Sequence, residues 1–400
     1  MKIDPRAQQK LFPEECLLRE IAKHPKLSIG IPKENSNVET RLGLTPEGVA
    51  IVTEEGHSVY IERGAGLPMS YTDLQYSEAG AFLVDNPTDV FSADIVLKIA
   101  PPTLAELQMM HNGATIFSML QLSNLSKECI KLMMQKKMTA IAYELIQDQQ
   151  RAFPVVNSIA EIEGISAIAV ASELMTSERG GKGLLLGGVA GIPPTEVLIL
   201  GAGITCTVAA QNAIALGAEV KIFDHDINKL RKLKHYLGQH VFTSVIHPNV
   251  LFKALATADA VIGNLRYIND SEQFMVSEDL VKTMKKGAII IDMSVDQGGC
   301  FETSVCRTIK KPTYEKHGVI HYCVPNISAR VARTTSMTLS NIFAPMLLKI
   351  GNSGSVKSAI TESTGFRHGV YIYEGMLVNR LIAKYYNIGS SDIGLLIAGF

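Results

Sequence analysis

Val197-Leu198-Ile199-Leu200-Gly201-Ala202-Gly203, running into Ile204-Thr205-Cys206, decides the fold. An unbroken apolar run of this length reads as a buried strand, and the glycines end it in a tight turn. Thr205 to Leu216 then carries a helix pattern. The first glycine permits the turn, and the second lets the backbone approach a pyrophosphate. A helix starting there offers unpaired N–H groups and partial positive charge to phosphates. A second strand, 219–223, ends at Asp224. That acid falls about 20 residues past the glycines, where a dinucleotide fold keeps its ribose-binding carboxylate. Asp224 also favours NAD over NADP, because a carboxylate repels a 2′-phosphate; Lys229 and Arg231 are the nearby cations that would offset it. The third fingerprint position is Cys206, not Gly or Ala. That position serves helix–strand packing, so the expectation is a slightly shifted helix with the site kept.

Working outward, short apolar strands alternate with amphipathic helices on both sides of this motif. Upstream, strands read at 27–31, 58–62, 94–99, 114–118 and 138–143, with helices over 45–55, 73–79 and 127–137. A short helix is expected at 13–24, and one long helix over 154–180 carries the chain into the second set. Downstream, strands read at 196–200, 219–223, 241–246, 259–263, 288–292 and 319–324, then helices over 335–350 and 373–386. Such alternation predicts parallel sheets with crossover helices. The fold class is therefore α/β: two Rossmann-like domains with parallel sheets and the active site in the interdomain cleft. A discontinuous substrate domain takes 1–154 and 332–400, with an N-terminal extension over 1–26; a nucleotide-binding domain takes 155–331.

Composition narrows the class of function. The 400 residues are 46% hydrophobic and 19% charged, with 38 basic against 39 acidic side chains. Such a balance leaves no electrostatic footprint for nucleic acid or an anionic membrane. Lys229, Arg231, Lys232 and Lys234 read as a solvated helix face. The six cysteines are scattered, with no CxxC and no histidine at metal-ligand spacing, so free thiols, no metal and a cytoplasmic location are expected. The apolar stretch 183–203 is broken by Pro193, Pro194 and Glu196, so it does not read as a membrane span.

Several motifs together resemble the alanine dehydrogenase family, related to the NAD-binding subunit of proton-translocating transhydrogenase. They are Gly30-Ile31-Pro32-Lys33-Glu34 with Glu39-Thr40-Arg41, Leu44-Thr45-Pro46, Gly64-Ala65-Gly66 and Ala93 to Lys98. Further on come Lys182 to Gly188, the 201–203 turn, Asp292 through Asp296-Gln297-Gly298-Gly299-Cys300-Phe301-Glu302, and Tyr322 to Asn326. The run from Asp296 to Glu302 is the most specific and favours alanine dehydrogenase over transhydrogenase. The resemblance implies NAD-dependent oxidative deamination of L-alanine to pyruvate and ammonium. It also implies a small-molecule amino acid or 2-oxo acid partner and a homo-oligomer, commonly a hexamer.

Site residues follow from that likeness. Arg41 matches the family's carboxylate-binding arginine, whose planar fork suits a carboxylate; a surface ion pair with Glu34 or Glu39 is the alternative. Asp296 matches the acid near the nicotinamide, and Asn326 a residue near cofactor and substrate. The cofactor-binding set is Gly201, Gly203, Ile204, Thr205, Asp224, Asn264, Leu265, Asp296 and Asn326. Three positions depart. Ala100 stands where the family has a substrate-contacting lysine, Gln121 where it has the catalytic histidine, and Ala160 where it has a hydroxyl holding cofactor phosphates. Glutamine bonds substrate but does not titrate near neutrality. In a strand, residues i and i+2 share a face about 6.5–7 Å apart, so Lys98 is the substitute cation and Asp296 the base. His57, His111, His317 and His321 read as non-catalytic. The departures keep two other readings open: a dehydrogenase of another amino or imino acid, and a non-catalytic NAD(H)-binding relative.

Overall fold

The computed structural model describes residues 26–36, 39–120, 125–238, 240–265 and 275–398. The helix expected at 13–24 lies outside them. Strands β1 (Ser28–Ile31), β2 (Ser58–Glu62), β3 (Phe82–Val84), β4 (Ile95–Leu97), β5 (Thr115–Ser118) and β6 (Thr139–Ala142) build most of the first sheet. Strands β7 (Glu196–Leu200), β8 (Glu219–Asp224), β9 (Phe242–Val245), β10 (Ala260–Gly263), β11 (Ile289–Asp292), β12 (Thr313–Lys316) and β13 (Val319–Tyr322) form the second. Strands β14 (Val370–Tyr373) and β15 (Met376–Leu377) return to the first.

The sheet orders are β15-β14-β6-β5-β4-β1-β2-β3 and β12-β13-β11-β10-β7-β8-β9. Numbered within each sheet, the first contains the doubly wound order 3-2-1-4-5-6 and the second runs 3-2-1-4-5-7-6, its sixth strand being the antiparallel edge; in both, the direction of winding reverses beside the first strand. In such sheets ligands bind outside the carboxyl ends of the strands at that reversal. Here it lies between β1 and β4 in the first sheet and between β7 and β10 in the second.

The sheets are mostly parallel, but not wholly. Strand β12 pairs antiparallel with β13, β14 with β6, and β15 with β14. Two expectations change accordingly. Helix was expected from 373, whereas 370–377 is a hairpin and helix spans only Arg380–Tyr386. The reason is local: Val370-Tyr371-Ile372-Tyr373 is wholly buried, and Glu374 and Gly375 turn the chain with φ of 44° and 84°. A parallel crossover would need a dozen or more residues, so a two-residue turn forces antiparallel pairing. The same holds for β12 and β13 across His317 and Gly318.

The linking helix spans Pro154–Leu174, shorter than the expected 154–180. Its buried positions Ala160, Gly164, Ala167, Ile168 and Ala171 recur at helical spacing. It stops before the glycines at 180, 181 and 183, which lie in turns. The return helix, Ala332–Asn352, crosses back from the second sheet to pack on the first. Two apolar clusters flank each sheet, so the β7 and β10 strands are buried on both faces, as parallel strands require.

Candidate active site

The glycine turn lies at the reversal point of the second sheet. Gly201 adopts φ of 119°, and a Cβ there would stand 2.8 Å from the Asn264 carbonyl oxygen and 2.9 Å from the Cys206 sulfur. Only glycine satisfies both demands. The helix Ile204–Ala215 starts from Gly203 with no side-chain cap. A Cβ on Gly203 would meet nothing within 4 Å, so the uncapped amides face open space. This is a cradle that fits a pyrophosphate. Cys206 is buried beneath it and donates to the Leu200 carbonyl at 3.6 Å. Thr205 is buried, whereas Ile204 is exposed.

Asp224 is fully buried. Its carboxylate accepts from the Ala202 N–H at 2.7 Å and the Asp226 N–H at 2.8 Å. It therefore braces the glycine turn directly, a role the sequence reading did not assign to it. Asn264 follows β10, its N–H donating to Leu200, and Leu265 is buried against Cys300. Asp292, also buried, accepts from Ser294, from the Cys300 N–H and from Ser304. Those bonds shape the segment that sets Asp296 on an exposed turn, Val295–Gln297.

The first sheet contributes charge. Arg41 is buried, donating from Nε and Nη2 to the Glu39 carboxylate at 2.7 Å each and from Nη1 to Ser328 at 3.1 Å. Glu39 also accepts from the Asn326 amide at 3.0 Å. The ion pair with Glu39, the alternative reading of Arg41, is present, but internal rather than on the surface: segment 326–340 covers it, with Thr40 bonded to Ala329 and Leu42 to Ser336. Burial alone would raise Glu39, yet the guanidinium holds its carboxyl below the usual range. Arg41 is correspondingly raised, its burial outweighed by Glu39.

Lys98 stands at the reversal point of the first sheet. Its ammonium bonds Glu34 at 2.6 Å and Glu106 at 3.2 Å. Glu34 also accepts from the Ile99 and Ala100 amides. Burial would lower Lys98, but the two carboxylates hold it above the ordinary lysine range. Sequence reasoning did not find Glu106, although Thr103-Leu104-Ala105-Glu106 is a capping box and that helix start is visible in the sequence.

Three further groups were missed. Tyr143 donates to the Ile99 carbonyl at 2.9 Å. Glu144 accepts from the Leu120 N–H at 2.7 Å, and burial raises it to about 7. Glu163, on the linking helix, is raised to about 7 by burial, lowered by Arg41 and raised by Asp296. Its signal was present in the sequence: Glu163 follows Ala160 by three and precedes Ala167 by four, so it flanks the buried stripe. The structure thus joins Arg41 and Asn326 through Glu39 at one corner, and gathers the glycine turn, Asp224 and Asn264 at another. Gln121 lies outside the described residues. His321 is buried in β13 and bonds Thr303, which leaves it a core residue.

The family model described as "Alanine dehydrogenase/PNT, N-terminal domain" matches residues 30–163, and its C-terminal counterpart matches 167–380. The chain belongs to this family. An alanine dehydrogenase from Methanococcus maripaludis is 38% identical over 362 residues, covering 90% of this chain and 96% of its own. A solved structure titled L-alanine dehydrogenase has a TM-score of 0.83 at 34% identity, covering 90% of this chain and 99% of that one. A transhydrogenase from Sinorhizobium meliloti shares the fold, with a TM-score of 0.74 at 24% identity over 88% of this chain and all of that one (100%). Family membership accounts for both sheets and for the linking and return helices between them. It also makes the chain an oxidoreductase of the CH-NH2 class, in keeping with the acid–base and cation groups gathered here.

Proposed function

We propose that the protein catalyses reversible, NAD-dependent oxidative deamination of L-alanine to pyruvate and ammonium. One observation supports this above others: Asn326, following the last parallel strand of the nucleotide sheet, bonds Glu39, the partner of Arg41 on the other sheet. A cofactor corner and a carboxylate-binding corner therefore meet at one place. The relatives named alanine dehydrogenase, matched over nearly their whole length, point to the same substrate.

In this reading Gly201, Gly203, Ile204 and Thr205 hold the pyrophosphate, Asp224 the adenosine ribose, and Asn264, Leu265, Asp296 and Asn326 the nicotinamide side. NAD, when bound, accepts the hydride from the substrate Cα. Arginine carries five N–H donors, of which Arg41 uses three, so two remain for the substrate carboxylate. Lys98 uses two of its three, so one N–H remains for the same carboxylate. Asp296, exposed to the cleft, takes the amine proton. The protein acts as a cytoplasmic homo-oligomer, hexameric by resemblance, with 1–154 plus 332–400 as the substrate domain.

The test is NADH absorbance with L-alanine and NAD, then with pyruvate and ammonium. Turnover in both directions is expected. NAD binding by calorimetry with no turnover across an amino-acid panel would point instead to a non-catalytic NAD-binding protein. Asp224→Ala is expected to weaken NAD binding by about 10-fold or more. It removes the ribose acceptor and leaves the Ala202 and Asp226 amides unpaired, at about 1–3 kcal/mol of desolvation. Unchanged NAD affinity in that variant would refute the ribose assignment.

A further inference from the structure

We propose that Glu163 is the proton-transfer group of the cleft, taking the place of the imidazole that this sequence lacks at Gln121. The proposal rests on the functional reading above and names a residue for its proton chemistry. Its basis is placement. Glu163 sits on the helix that links the sheets, half-buried. The next residue, Gly164, is pressed so closely on the helix after the glycine turn that a Cβ would stand 2.5 Å from the Thr205 carbonyl oxygen. The linking helix also packs on the segment 327–331 that follows Asn326, and on β11, which leads to Asp296. Glu163 is thus held beside the cofactor cradle, and it senses Arg41 and Asp296 together.

The surrounding charges leave it free to act. Among the described residues no donor is hydrogen-bonded to its carboxyl. The helix Ile204–Ala215 carries no charged side chain. On the remaining elements packed against the linking helix, Arg330 pairs with Glu173, Arg333 donates to Met69 and Ser70, and Asp292 is bonded within its own loop. Tyr143 is bonded to Ile99 and Glu144 to Leu120. Glu161, on the same helix, is exposed. The charges that act on Glu163 are the Arg41 guanidinium and the Asp296 carboxylate. Two neighbouring carboxyls whose environments differ divide acid and base roles between them. Burial sets Glu163 near neutrality, where a proton shuttle works best.

The step balances without another reactant. After the Cα hydride has left, water adds to the imino carbon: its oxygen forms the C–O bond and one of its protons goes to the Glu163 carboxylate. The resulting acid passes that proton to the amine nitrogen as the C–N bond breaks. The carboxylate is regenerated, ammonia departs, and the alcohol proton goes to the departing ammonia, leaving pyruvate and ammonium.

The sign of the pH effect follows. The group is a carboxylate both at the start and at the end of the step, so deamination and amination alike need it ionised, and both rates rise with pH through about 7. Glu163→Gln is expected to lower kcat by about 100-fold or more in both directions and to abolish that limb, with KM for alanine little changed. Glu163→Asp should restore the limb at a reduced rate. A readout independent of turnover is the infrared carboxylic-acid carbonyl band of the protein without substrate. A component titrating near 7 should vanish in Glu163→Gln and persist in Glu144→Gln, since Glu144 contributes its own. An active wild type whose Glu163→Gln variant keeps the limb and loses no component of the band would overturn this inference alone. A wild type inert toward alanine would overturn the functional reading and this inference with it.

Discussion

The Arg41→Ala protein is expected to lose about 3–5 kcal/mol of stability and its amino-acid turnover together. Arg41 and Glu39 are 3% and 4% exposed, so deleting the guanidinium strands a buried carboxylate. The remaining donors to Glu39 are two backbone amides and Asn326, none of them charged. Urea unfolding reads the loss as a lower midpoint. Its pH dependence gives a second check. Glu39 is depressed in the folded wild type, so its contribution is present above the ordinary glutamate pKa of about 4.3 and fades as pH falls through the lower folded value. In Arg41→Ala, burial without the cation raises Glu39, and the variant should gain stability on mild acidification where wild type does not. Glu39→Gln/Arg41→Met removes both charges and should recover most of the stability but none of the turnover. A stable, active Arg41→Ala protein would remove Arg41 from substrate binding and from the core alike.

That pair shows what the sequence could and could not disclose. Arg41 was legible because its neighbours Glu39 and Thr40 form a motif, and a motif fixes residue types at short range. Its burial was not, because the cover is supplied by Ser328, Ala329 and Ser336, nearly 300 positions away. The glycine turn was legible for the opposite reason: its strand, turn and helix are contiguous, so local pattern specifies local structure. The hairpins at 370–377 and 313–322 were hidden because their turns are Glu-Gly and His-Gly, outside the Asn-Gly and Asp-Gly pairs that signal a two-residue turn. Glu163 was half legible: its spacing from Ala160 and Ala167 set it beside the buried stripe, but Arg41 and Asp296, the charges that act on it, lie more than 100 positions away in sequence.

Lys98→Ala is expected to cost about 3–5 kcal/mol as well, and it separates scaffold from substrate binding. The ammonium lies between Glu34 and Glu106, and Glu34 pins the Ile99 and Ala100 amides at the reversal point of the first sheet. Removing it leaves two carboxylates facing one another in a buried corner. The linkage has the opposite sign to that of Glu39. Lys98 is raised in the folded state, so its contribution is present below the ordinary lysine pKa of about 10.4 and is lost as pH climbs through the higher folded value. Wild type should therefore lose stability in strong base by a route that Lys98→Ala has already lost. Stability alone does not show whether the third N–H of Lys98 holds substrate, because an unfolded enzyme is also inactive. Lys98→Met/Glu34→Gln answers that, since it discharges the Lys98–Glu34 pair and leaves only Glu106, the more exposed carboxylate. If Lys98 replaces the lysine missing at Ala100, this variant should fold close to wild type with KM for alanine raised about 10-fold, a lost charge-assisted hydrogen bond being worth about 1.5–3 kcal/mol. A wild-type KM in a stable double variant would confine Lys98 to the scaffold and leave Arg41 as the carboxylate's sole cation among the residues assigned to it.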